Sequence, residues 1–85
     1  MRLMKVRIGI ESESLADFFS VKIRDEFEAE TKLVWLKNHE PYLEFFIPYL
    51  EVKATQELLA VIRRWEAVTK AEAMAEIPQN VSEPP

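Results

Sequence analysis

Two stretches of this chain, residues 31–36 and 42–52, are apolar on both of the faces that an extended strand presents. In the first, Leu33 and Trp35 alternate with Val34 and Leu36. In the second, Leu43, Phe45, Ile47 and Tyr49 fall on one side, while Tyr42, Phe46 and Leu50 fall on the other with Glu44 and Pro48. Successive strand side chains point to opposite faces, so such segments need cover on both. With 85 residues the chain can build one core and one layer of helices, not a layer on each side of a sheet.

The remaining elements follow from periodicity and punctuation. Leu3–Ile10 alternates, with Met4, Val6, Ile8 and Ile10 on one face, and reads as a half-buried strand. Ser12 and Ser14 offer capping hydroxyls, and Asp17 suits the positive end of a helix dipole. Leu15, Phe18, Phe19, Ile23 and Phe27 then recur at helical spacing, and the helix ends near Glu28. Asn38, His39, Glu40 and Pro41 make a turn between the two doubly apolar strands. Pro48 cannot donate to a strand ladder, which marks an edge or a bulge there. Thr55 is the expected N-cap of a second helix running to about Glu76. Leu58, Leu59, Ile62, Trp65, Val68 and Thr69 lie along its apolar side, and Ala60, Ala67, Ala71, Ala73 and Ala75 raise its propensity. Pro78 stops it.

The expected fold is therefore α+β: a three-stranded antiparallel sheet with two helices on one face, in the order β-α-β-β-α. Residues 1–77 form the single domain, and 78–85 form a disordered tail. Both helices are spent on one sheet face. The uncovered strip exceeds the roughly 300–600 Å² patch that a monomer usually exposes. At about 25 cal/mol per Å², covering it is worth on the order of 10 kcal/mol before association costs. A protein partner is expected on the strands, at Trp35, Leu43, Phe45, Ile47 and Tyr49; the alternative is that the long second helix and a bulge at Pro48 wrap the excess inside one core.

Composition removes most other functions. The chain has no cysteine, one histidine and one glycine, which excludes thiolate metal sites, multi-histidine sites and glycine-rich phosphate loops. No cofactor is implied. A net charge of −4 argues against a chain held to duplex nucleic acid by phosphate neutralisation. No secretory signal and no apolar run of membrane-spanning length is visible, so a cytoplasmic location is expected. His39 sits in a polar turn and reads as solvated; Ser12, Ser14 and Ser20 lack an orienting base for nucleophilic work. Asp25, Glu26, Glu28 and Glu30 read as a wet acidic helix end rather than a magnesium site. Arg63 and Arg64, beside Trp65 and near Lys70, are the one cluster suited to RNA or to a partner. No constellation for catalysis remains. The element order invites comparison with RNA-binding KH domains, but their GXXG clamp cannot be built with Gly9 alone.

Ile8–Ala16 (IGIESESLA) and Ala54–Trp65 (ATQELLAVIRRW), set in this element order, resemble the small Pcc-type subunit of KEOPS. That complex makes threonylcarbamoyladenosine in tRNA in archaea and eukaryotes. The first segment is similar to the family's strand-to-helix passage. The second is similar to the opening of its last helix, with Leu58 and Ala60 matching. Leu59 stands where the family has arginine, Arg63 and Arg64 replace Asn-Ser, and Trp65 replaces tyrosine. The chain thus resembles a diverged second paralogue of the standard subunit. The resemblance implies a non-catalytic accessory subunit that forms a heterodimer with the standard small subunit. Through it the chain would reach the ATPase subunit, with at most indirect tRNA contact and no membrane. Two alternatives stand beside it: a small RNA-binding module using Arg63 and Arg64, and an unrelated homodimeric structural protein.

Overall fold

The computed structural model describes residues 2–35 and 41–76. The elements are β1 (Leu3–Ile10), a one-turn 3-10 helix (Glu13–Leu15), α1 (Ala16–Phe27), β2 (Lys32–Val34), β3 (Tyr42–Pro48), α2 (Val52–Arg63) and β4 (Val68–Glu76). The four strands form one antiparallel sheet in the order β2-β3-β1-β4. This is the split β-α-β arrangement of ferredoxin-like folds.

The alternation of β1 settles the core. Met4, Val6, Ile8 and Ile10 are buried, and in register beside them on β3 lie Ile47, Phe45 and Leu43, also buried. Phe19 and Ile23 of α1 and Leu59 and Ile62 of α2 close over this one face. Phe27 stacks on Phe45 with ring centroids 5.5 Å apart, and Phe19 stacks on Trp65 at 6.1 Å. Two helices on one face of an antiparallel sheet stand as expected; the strand count does not.

The difference lies at Val68–Glu76, expected as helix and found as β4. Alanine content favours a helix, but Lys70-Ala71-Glu72-Ala73-Met74-Ala75-Glu76 alternates with period two, and pairing with β1 rewards that pattern. The helix stops first: α2 ends at Arg63, a turn follows, and Ala67 takes a left-handed conformation with φ 73°. Alanine on the core side of β4 is small enough for α2 to lie close; Ala71 is buried against it.

Other boundaries shift for local reasons. β2 spans only Lys32–Val34, so Trp35 lies beyond it. β3 ends at Pro48, and β2 pairs only with Tyr42–Glu44, so β3 is an edge where the proline sits. α2 begins at Val52 with Glu51 as its N-cap; Thr55 instead donates to the Leu50 carbonyl at 3.3 Å. The hydroxyls of Ser12 and Ser14 bond to each other at 2.7 Å and cap nothing. α1 closes at Glu28, whose N–H makes the last helical bond, to the Arg24 carbonyl at 2.8 Å, and whose left-handed φ of 57° turns the following chain out of the helix. His39, Glu40 and the expected disordered tail lie outside the described residues.

Candidate protein-binding surface

Leu43, Phe45 and Ile47, expected to face a partner, are only 1%, 1% and 6% exposed. They lie under α1 and α2, because the side of β3 they share with the apolar face of β1 is the side the helices cover. Any partner surface excludes them. Trp35 and Tyr49 are exposed, Tyr49 with the Arg2 guanidinium 4.1 Å above its ring.

The uncovered face is the other one, and its layout follows from register. One level across the sheet carries Lys32 (β2), Glu44 (β3), Arg7 (β1) and Glu72 (β4), each the cross-strand partner of the next. Arg7 Nε donates to Glu44 Oε2 at 3.0 Å, and its guanidinium lies 4.8 Å from the centre of the Tyr42 ring. The next level holds Phe46, Lys5 and Met74, and below it Pro48 pairs with Leu3. Phe46 is 44% exposed and Leu3 38%. The open face therefore combines a line of alternating charge with an end where Phe46, Met74, Leu3 and Pro48 flank Lys5, the mixture of apolar and charged groups that protein interfaces use.

Arg63 and Arg64 are both exposed and differ in their contacts. Arg63 Nη2 donates to the Ala71 carbonyl at 2.9 Å and so covers part of the β4 edge of the sheet. Arg64 is exposed, while Trp65 is anchored by the Phe19 stack and by Lys22, whose Nζ sits 4.7 Å over its ring. Beside it, Phe18 lines a shallow groove with Leu15 and Trp65 and is 61% exposed. The charged residues that line this groove are Glu11, Glu66 and Lys22, so it is not a basic patch.

Among the described residues there is no buried polar or charged side chain, and no group of three or more residues able to hold a metal. No helix among them is long and apolar enough to cross a membrane. The strand stretch 42–48 does display its second face in sequence, Tyr42, Glu44, Phe46 and Pro48. The charge line was hidden because it joins residues from four strands whose register the sequence does not state. No protein-family model, no curated protein and no solved structure matches the chain.

Proposed function

We propose that this chain is a non-catalytic pairing subunit that works through the open face of its sheet. The observation that carries this reading is the conjunction on that face of half-exposed Phe46 and Leu3 with the in-register line Lys32, Glu44, Arg7, Glu72. A charge line orients and selects a partner, and the apolar residues beside it supply the driving force. In its specific form the reading is an accessory subunit of KEOPS, paired with the standard small subunit. If it replaces one copy there without docking the ATPase subunit, it limits the complex to one catalytic arm. The support for that form is the resemblance at Ile8–Ala16 and Ala54–Trp65. Beyond Trp65 the strand β4 departs from the family's long last helix.

The test is light scattering of the chain alone and mixed with the standard small KEOPS subunit. Pairing in either sample, lost on Phe46→Glu while the circular dichroism spectrum holds, is the expected result. A chain that stays monomeric in both at several hundred micromolar overturns the reading. A pair insensitive to Phe46→Glu overturns the choice of face.

A further inference from the structure

On the opposite side of the molecule from the open sheet face, α1 carries an apolar ridge between acidic banks. Phe18 and Val21, three residues apart and so neighbours on the helix surface, are 61% and 51% exposed. The buried side of the same helix belongs to Phe19 and Ile23. Phe18 is fixed by an edge contact with the Phe19 ring, centroids 5.1 Å apart. It stands between two shallow grooves, one shared with Leu15 and Trp65, the other with Val21.

Glu11 and Glu66 border the first groove, and Asp17, Asp25 and Glu26 border the second. All five are exposed, and among the described residues none of their carboxylates has an ion-pair or hydrogen-bond partner. Lys22 is the one cation among the described residues lining either groove, and its ammonium lies over the Trp65 ring, 4.7 Å from the centre. The charge of the banks decides what fits on the ridge. A second copy docked by the same surface would set carboxylates against carboxylates, and a nucleic acid would bring phosphates to them. A cationic partner meets neither obstacle.

We infer that this surface docks a basic segment of a different protein. An apolar side chain of that segment seats beside Phe18 and Val21, and the arginines or lysines flanking it pair with Glu11 and Glu66 on one bank and with Asp17, Asp25 and Glu26 on the other. The apolar contact supplies the driving force; the carboxylates set the orientation and speed the encounter. Two exposed anchors and solvated ion pairs make a weak, transient contact that salt weakens further. The inference does not rest on the reading of the open face, because α1 covers the other side of the sheet.

The test is an NMR titration of the isotope-labelled full chain with a capped probe peptide, Gly-Arg-Lys-Leu-Phe-Arg-Lys-Gly. Saturable shifts are expected at the amides of Leu15, Phe18, Val21 and Glu66. Phe18→Ser should weaken binding at least about fivefold, and E11Q/E66Q about threefold or more. Lys22→Met keeps an unbranched side chain beside Trp65 but removes the groove's positive charge. It should tighten binding about two- to threefold, a gain that misfolding does not imitate. The peptide with alanine for Leu-Phe, and the peptide with glutamate for every arginine and lysine, should each bind at least about tenfold more weakly. No shifts at millimolar peptide overturn the proposal, as do shifts confined to the open sheet face or an affinity indifferent to Phe18→Ser. Spermine that moves the same amides with the peptide's affinity marks a site for small polycations and overturns it too. Pairing through the open face is read separately, by light scattering and Phe46→Glu, so either reading can fail while the other stands.

Discussion

Arg7 and Glu44 meet across β1 and β3 with Nε and Oε2 3.0 Å apart, at the centre of a sheet face that no helix covers. Their side chains are 29% and 14% exposed, and the arginine also lies against Tyr42. A pair so placed is neither a fully solvated ion pair nor a buried one. Glu44→Ala leaves the guanidinium half-covered and without its partner. The expected loss is about 1–2 kcal/mol in chemical denaturation, shrinking as salt is raised.

Phe45 and Phe46 are neighbours in sequence with opposite fates. Phe45 is 1% exposed under Phe27, and Phe46 is 44% exposed on the open face. Phe45→Glu should abolish cooperative thermal unfolding, because it places a carboxylate in a core with no partner for it. Phe46→Glu should leave the melting temperature within a few degrees of wild type. Two variants that melt alike would contradict the assignment of faces.

Gly9 faces the bulge in β4, where Thr69 is the extra residue between the partners of Gly9 and Ile10. A Cβ at this position would collide with Thr69 Oγ1 and press on Lys70 Cγ, 3.3 Å away. Gly9→Ala is expected to cost about 1–3 kcal/mol, read from urea unfolding. The paired variant Gly9→Ala/Thr69→Ala should recover most of that loss.

Arg63 holds the Ala71 carbonyl at 2.9 Å, across from the turn that joins α2 to β4. Arg63→Ala is expected to cost about 1 kcal/mol and to speed amide exchange along β4. Arg64→Ala, at an exposed position, should change neither. Equal effects at the two arginines would count against this role for Arg63.

Glu28 ends α1 in a left-handed conformation with φ 57° and an exposed side chain. Glycine adopts that conformation without a Cβ penalty. Glu28→Gly should stabilise the chain by about 0.5–1 kcal/mol, a rise of a few degrees in melting temperature. A fall would mean that the Glu28 carboxylate makes a contribution larger than the backbone term.

What could be read along the chain was whatever depends on neighbours in sequence. The alternation of Leu3–Ile10 is β1 to the residue, and Leu15, Phe19, Ile23 and Phe27 mark the inward side of the first helix. Phe18, expected on the same stripe by its spacing of three from Leu15, is instead 61% exposed. Pro48 marks where β3 loses a neighbour. At Val68–Glu76 two local signals disagreed, alanine propensity and period-two alternation. Propensities of a few tenths of a kcal/mol per residue do not decide between them.

Tertiary structure decided the rest because the deciding interactions join residues far apart in the chain. A strand with two apolar faces does not say which one is the core. The answer came from β1, whose single apolar face pairs level by level with Leu43, Phe45 and Ile47 and so directs both helices to that side. β4 is a strand because β1 has a free edge to receive it and α2 ends in time to let it turn back. The line Lys32, Glu44, Arg7, Glu72 exists in no stretch of sequence. It is made by register, which sets a cross-strand neighbour about 5 Å away where the chain places it tens of residues distant.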